Sequence, residues 1–198
     1  MSSNAYKKPD FWTKKAFTEG YPARSVYKLK EMNEKFSLFS KHNRILDLGA
    51  APGSWTVFVL RELANTGHAV AIDLKPLASN VTAKNLDFFC GNLYNADIWQ
   101  GVKELGPYHA VLCDAAPDTT GNKTVDSTRS AELVEKAIDY AEHMLMPGGN
   151  CVIKIFQGNN QQAVMKKMKE VFTTARNFKP TACRSQSIET YLIGLNRK

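Results

Sequence analysis

The sequence predicts an α/β fold in which a mostly parallel, seven-stranded sheet carries helices on both faces. Three observations lead there. Apolar runs of strand length alternate with helical segments along the chain. The first four strands end near a polar residue, namely Asp47, Asp73, Asn92 and Asp114. No repeat, low-complexity tract or linker divides the 198 residues. With 43% hydrophobic residues, the chain can build a substantial core as a single domain, 1–198.

Residues 10–19 and 24–37 read as helices; in the second, Val26, Leu29, Met32 and Phe36 recur at helical spacing. Arg44 to Leu48 is a short strand running into a glycine turn, and Ser54 to Leu63 a helix. His68 to Ile72 and Leu86 to Cys90 are the second and third strands, with Ala96 to Leu105 helical after them. Ala110 to Cys113 is the fourth strand. A polar loop, Ala115 to Val125, then leads to an amphipathic helix from Ser127 to Leu145, capped by Asp126 or Ser127. Pro147-Gly148-Gly149 is expected to stop that helix. Cys151 to Phe156 is the fifth strand and Gln161 to Phe172 a helix, with further strands at Lys179 to Cys183 and Ile188 to Leu195.

The net charge of +7 is unevenly distributed. Residues 1–44 hold ten Lys and Arg against four Asp and Glu; residues 45–165 hold eight against thirteen; residues 166–198 hold eight against two. Basic ends around an acidic middle, including a basic helical segment at about 1–43, point to a polyanion-binding rim around a catalytic domain. No run approaches ~18 consecutive apolar residues, and Met1 to Asp10 lacks the apolar core of a secretory signal, so a cytoplasmic protein without membrane partners is expected. Cys90, Cys113, Cys151 and Cys183 form no C-x-x-C pair; three of them lie in apolar runs and are expected to be buried free thiols. No His pairing suggests a metal, and no Ser sits in a G-x-S-x-G elbow.

Asp47-Leu48-Gly49-Ala50-Ala51-Pro52-Gly53-Ser54-Trp55 is the most specific segment. Gly49 and Gly53 are expected to let the backbone approach a ligand. The turn is neither G-x-G-x-x-G nor a phosphate-binding loop. Asp73, about twenty residues further on, suits a carboxylate accepting hydrogen bonds from a ribose diol. A nucleoside ligand without a pyrophosphate follows, and S-adenosyl-L-methionine, its amino-acid end near the glycine turn, fits that description.

These residues resemble the FtsJ/RrmJ family of ribose 2′-O-methyltransferases. The likeness covers Phe11 to Lys198. It rests on Glu19 through Leu29, on Asp47 through Trp55, on Asp114-Ala115-Ala116-Pro117 and on Gly148-Gly149. It continues through Val152-Ile153-Lys154-Ile155-Phe156-Gln157-Gly158 and Glu189-Thr190-Tyr191. The resemblance implies a Rossmann-like methyltransferase fold and a monomer acting on RNA, foremost large-subunit ribosomal RNA within a ribosomal particle. It implies a catalytic set of Lys28, Asp114, Lys154 and Glu189, and cofactor contacts from Gly53, Trp55, Asp73, Asn92 and Asp114, with Asp47 and Gly49 in the same turn. One position departs from the pattern: the family usually has an aspartate where this chain has Asn92, which can accept a hydrogen bond from an adenine amino group but adds no charge.

A ribose hydroxyl is a poor nucleophile, and a sulfonium already supplies a good leaving group, so catalysis must align the atoms and manage one proton. Lys154, at the end of an apolar strand, is the expected base, its pKa depressed by burial and by Lys28. Lys28 would orient the ribose, Asp114 would steer the lysine and approach the methyl donor, and Glu189 would hold Lys28. Trp12 and Phe11 suit either base stacking or a hydrophobic anchor. Rival expectations are a base methyltransferase, a 2′-O-methyltransferase acting on tRNA, and a non-catalytic RNA-binding assembly factor. An amine methylase would carry an Asn/Asp-Pro-Pro-aromatic block in place of Asp114 to Pro117. A cytosine-carbon methylase would need a nucleophilic cysteine, with Cys113 the nearest.

Overall fold

The computed structural model describes residues 10–158, 160–184 and 186–198; the first nine residues of the basic N-terminal segment lie outside them. Its elements run α1 (Phe11–Thr18), α2 (Val26–Phe36), β1 (Arg44–Leu48), α3 (Ser54–Leu63), β2 (His68–Asp73), β3 (Leu86–Cys90) and α4 (Ala96–Glu104). They continue with β4 (Tyr108–Cys113), α5 (Lys123–Met144), β5 (Leu145–Phe156), α6 (Gln161–Val171), β6 (Phe172–Phe178) and β7 (Glu189–Arg197). One seven-stranded sheet results, in the order β3-β2-β1-β4-β5-β7-β6. β1 to β5 pair in parallel, and β7 runs antiparallel between β5 and β6. The strand order reverses between β1 and β4, the place where open α/β sheets leave a crevice at their carboxyl ends.

Period-two alternation sorts the strand residues between two cores. Leu46, Leu48, Val70, Ile72, Val111, Cys113, Cys151, Ile153 and Leu192 pack toward α4, α5 and α6, meeting Val102, Val134, Ile138, Val164 and Met168. Ile45, Ala69, Ala110, Leu112, Val152, Tyr191 and Ile193 pack toward α1, α2 and α3, meeting Ala16, Leu29, Met32, Phe58 and Leu63. Asp47, Asp73, Asp114, Lys154 and Glu189 continue the second set by parity. Their side chains therefore belong to the α1–α3 face, where α2 carries Lys28. No described helix is long and apolar enough to cross a membrane.

Several expectations need correction. The sixth strand is Phe172–Phe178 rather than Lys179 to Cys183. Pro180 has no N–H to give a ladder, and its carbonyl instead accepts from Cys183 N–H in a turn. Phe172, expected to end α6, opens this strand because its ring fills the space over Gly194, where an added Cβ would stand 2.5 Å from the ring. The long helix α5 begins at Lys123, with Asn122 as its cap: the Asn122 side chain accepts from Thr124 N–H and Val125 N–H. Asp126 reaches back to Thr120 and Gly121 and ties down the loop. The helix also ends before Pro147, at Met144, and Pro147-Gly148-Gly149 lies within β5. There the register with β4 jumps from Tyr108↔Leu145 to Ala110↔Asn150. All four cysteines are free thiols, but Cys90 is exposed at the end of the edge strand β3 and Cys183 is half-buried.

Candidate active site

The turn after β1 is built by backbone packing. Gly49 N–H and Ala50 N–H both donate to the Ile72 carbonyl, at 2.9 and 3.1 Å. Gly49 has φ +75° and Gly53 φ +109°, values that favour glycine. The space beside each is filled by protein: a Cβ on Gly49 would stand 2.4 Å from the Ala115 Cβ, and one on Gly53 2.9 Å from a Val81 methyl. Sequence reasoning expected these glycines to admit a ligand. Their bare Cα atoms instead admit the start of the loop after β4 and the segment between β2 and β3.

Asp73, at the end of β2, braces this turn. Its Oδ2 accepts from Ala51 N–H at 2.9 Å and its Oδ1 from Lys75 N–H at 2.8 Å. Each oxygen keeps a further lone pair for a ligand diol. Asn92 accepts from Tyr94 N–H at 3.0 Å, which orients its amide at the end of β3. The Trp55 indole is buried, and its Nε1–H donates to the Ser25 carbonyl at 2.9 Å. That side chain locks α3 to α2, which leaves the Trp55 backbone, not its ring, for the expected cofactor contact. The first bond within α3 runs from Val57 N–H to Gly53 O, which leaves the preceding N–H groups facing out of the helix N-terminus.

Asp47 is buried, and its Oδ2 accepts from the Thr56 hydroxyl at 2.7 Å. Burial, reinforced by the charges of Asp114 and Asp73, pushes its carboxyl up to about 7 against the Thr56 hydrogen bond. Its Oδ1 and the Ser54 hydroxyl are buried without a hydrogen-bond partner. Buried polar atoms are normally paired. Two orphans beside a helix N-terminus fit a ligand bearing both an amine and a carboxylate.

The second half of the site lies where β4, β5, β7 and α2 meet. The β5–β7 register sets Lys154 opposite Tyr191 and Phe156 opposite Glu189. Val26, Leu29 and Met32 anchor α2 in the core and hold Lys28 over the sheet. Lys28 Nζ stands 2.6 Å from Glu189 Oε1, and Lys154 Nζ 3.2 Å from Asp114 Oδ1. Lys154 also donates to the Asp114 carbonyl. The four side chains expected in one set thus form two ion pairs, each member between 11% and 16% exposed.

Tyr191 joins the two pairs. Sequence reasoning noted it only as part of a motif and assigned it no place in the site. Its hydroxyl donates to Asp114 Oδ1 at 2.7 Å, and its ring lies 5.9 Å from both Lys28 Nζ and the Trp55 ring. An aromatic residue alternating with Glu189 across a strand was the available signal. Burial and the Asp114 and Glu189 carboxylates push its phenol well above the usual tyrosine range, so it acts as a neutral donor.

The expected depression of Lys154 is reversed. Burial does push its pKa down, but the Asp114 carboxylate, its hydrogen bond and the Glu189 carboxylate together outweigh burial and raise it. Lys28, expected to repel Lys154, is compensated by Glu189. Lys154 therefore stands as an ammonium group in the free protein. Cys113 is fully buried, and burial pushes its thiol up to about 12, which argues against a cysteine nucleophile.

FtsJ-like methyltransferases match this chain over residues 21–197. The chain belongs to that family. The relative in Treponema denticola, named ribosomal RNA large subunit methyltransferase E, is 60% identical over the full length of both chains. The protein of that name in Treponema pallidum strain Nichols is 43% identical, covering 96% of this chain and 94% of its own. Among solved structures, a Plasmodium falciparum protein described as a ribosomal RNA methyltransferase superposes with TM-score 0.78 at 26% identity, covering 89% of this chain and 98% of that one. Human methyltransferase-like protein 13, solved with SAH, shares the fold at TM-score 0.61 and 14% identity, covering 87% and 79%. Membership in a methyltransferase family accords with the two-part site.

Proposed function

We propose that this protein transfers a methyl group from S-adenosyl-L-methionine to a ribose 2′-hydroxyl in large-subunit ribosomal RNA. The observation that carries this reading is the double ion pair Lys28–Glu189 and Lys154–Asp114, set beside the glycine turn at the carboxyl ends of the strands. The name carried by the Treponema relatives supports the choice of RNA. The enzyme would act in the cytoplasm as a monomer and a single methyltransferase domain, on RNA within a ribosomal particle.

When bound, S-adenosylmethionine supplies an electrophilic methyl on a sulfonium centre, with a neutral thioether as leaving group. Asp47 and the N–H groups at the start of α3, that of Trp55 among them, would hold its amino-acid end, with Gly53, whose own N–H donates to the Ala50 carbonyl, bringing the backbone close to it. Asp73 would accept from its ribose diol, and Asn92 from its adenine amino group. Gly49 would act indirectly, by letting Ala115 close the turn.

Lys28 and Lys154 would hold the acceptor ribose by donating to its oxygens, with Glu189 and Asp114 fixing their directions. Asp114, held by both Lys154 and Tyr191, would position the acceptor against the methyl donor. The hydroxyl proton must go to a base as the oxygen gains the methyl, and neutral Lys154 would take it. Lys154 must first lose its own proton, which its carboxylate neighbours oppose. A cationic donor beside it would favour that loss. The rate should therefore rise with pH and keep rising at the alkaline end of the range in which the fold survives.

The test is incubation of large ribosomal subunits, isolated from cells lacking this protein, with the purified protein and methyl-labelled S-adenosylmethionine. Digestion to nucleosides should place the label in a 2′-O-methyl nucleoside. Label in a base, or none in the RNA, overturns the reading.

A further inference from the structure

A cavity of about 610 Å³ opens next to the Lys28–Glu189 pair, on the α1–α2 side of the site. Trp12, Arg24, Cys183, Arg184 and Ser187 are among its walls. Two links tie it to the ion pairs. The Ser187 hydroxyl accepts from Glu189 N–H at 3.2 Å. The half-buried Cys183 thiol is pushed up to about 12, by burial and by the Glu189 carboxylate beside it. Arg24 lies in the turn that enters α2, one helical turn ahead of Lys28, with Lys28 N–H bonded to the Ser25 carbonyl. Whatever lies against Lys28 and Glu189 has this cavity as its neighbour.

The cavity already holds one anionic group, from the protein itself. Asp10 Oδ2 pairs with the Arg24 guanidinium and stands 3.8 Å from Arg184 Nε. Its other oxygen, Oδ1, has separate work: it caps α1 by accepting from Thr13 N–H at 2.9 Å and from the Thr13 hydroxyl at 2.8 Å. Both oxygens sit on one carboxylate carbon, so an oxyanion that took Oδ2's place between the two arginines would displace the whole group and release the Thr13 cap with it. Arg24 is fixed for this task, its side chain 15% exposed and donating to the Ala182 carbonyl at 2.6 Å. Trp12 adds an aromatic wall, supported from behind by Tyr27, whose ring centroid lies 4.9 Å away.

We infer that this cavity binds the RNA nucleotide adjoining the acceptor, with its base against Trp12 and its phosphate between Arg24 and Arg184 in place of Asp10 Oδ2. The inference rests on the proposed ribose methylation, because it takes Lys28 and Glu189 to lie against the acceptor. An aromatic wall beside two guanidiniums is the chemistry by which proteins hold single-stranded nucleotides. The volume lies within the range of small-molecule sites. Asp10 then acts as a built-in competitor that occupies the anion position until RNA arrives.

Competition gives the proposal a sign that packing alone would not. Asp10→Asn keeps a good helix cap but removes the competing charge, so it should tighten RNA binding by roughly three- to tenfold in low salt. Trp12→Ala should raise the RNA concentration for half-maximal single-turnover rate by roughly tenfold, with most of the loss restored in Trp12→Phe. Arg184→Gln should raise it by several-fold and reduce the salt dependence. Saturating rate and calorimetric cofactor affinity should stay unchanged in all four variants. The probe is large ribosomal subunits from cells lacking the protein, and ultraviolet crosslinks should map to Trp12. Unchanged RNA dependence in Trp12→Ala and Arg184→Gln, or weaker RNA binding by Asp10→Asn, overturns the proposal. Label found in a base together with the expected variant effects would overturn the ribose assignment and leave the nucleotide pocket standing.

Discussion

The two halves of the site treat their charges differently. On the proposed catalytic side each charge has a partner within the protein: Lys28 with Glu189, Lys154 with Asp114, and Tyr191 again with Asp114. On the proposed cofactor side, buried groups lack partners: Asp47 Oδ1 and the Ser54 hydroxyl have no hydrogen-bond partner, and burial pushes the Asp47 carboxyl up to about 7. A compensated cluster keeps its geometry whether or not a ligand is bound, at the cost of holding Lys154 protonated. An uncompensated one is destabilising when empty and gains most from a ligand that completes it. Rigidity is thus concentrated where atoms must be aligned, and unsatisfied bonding capacity where affinity is needed.

The largest test of this contrast is Lys154→Ala. Methyl transfer in a single turnover should fall by about 10²–10⁴-fold, the range for loss of a positioned proton acceptor, while cofactor binding holds. Near-normal turnover would reduce the catalytic half to scaffolding. On the cofactor side, Asp73→Ala should weaken S-adenosylmethionine binding by about 1.5–3 kcal/mol. It should also lower Tm, because Asp73 braces Ala51 and Lys75. Calorimetry showing unchanged affinity would take Asp73 out of the contact surface.

Asp47→Asn probes the uncompensated charge directly. The folded carboxyl, at about 7, binds its proton more tightly than the unfolded one at 3.8. Asp47 therefore favours the folded state below the unfolded value, and this contribution is lost as pH rises through the folded one. The Asn variant should lack that slope. At mildly alkaline pH it should be more stable than the parent by about 1–2 kcal/mol in urea unfolding, yet bind the cofactor less well. Equal pH slopes in the two proteins would contradict a strained Asp47. The smallest expected effect belongs to Glu189→Gln. Removing a carboxylate that raises Lys154, and leaving Lys28 uncompensated, should shift the pH–rate limb toward lower pH. Lys28→Ala should shift it the other way, because Glu189 then stands without its lysine.

Much of the architecture was legible from local pattern. Parallel strands buried on both faces read as apolar runs, and their ends at Asp47, Asp73, Asn92 and Asp114 marked the ligand side. What escaped was decided by neighbours distant in sequence. Phe172 suits the end of a helix or the start of a strand equally well, and only the gap over Gly194 settles it. Asn122, Asp126 and Ser127 are all competent caps; the loop Thr120–Gly121 claims Asp126 and leaves the cap to Asn122. Gly49 and Gly53 showed that a turn needed bare Cα atoms, but not that Ala115 and Val81 would fill the space beside them.

By itself, the sequence determined the alternation of strands and helices, the strand ends that carry the polar residues, and the residue types able to hold a nucleoside and a hydroxyl. Backbone period and turn chemistry act over a few residues, so they can be read along a line. That Glu189 would hold Lys28 and Asp114 would steer Lys154 was expected; only the tertiary structure decided that this pairing would outweigh burial at Lys154. That pairing, with Asp114 forty residues before Lys154 and Glu189 on an antiparallel strand beside it, turned the expected depressed amine into a raised one. Coulomb energy depends on separation in space and on the medium between the charges, and neither is fixed until β4, β5, β7 and α2 have packed together.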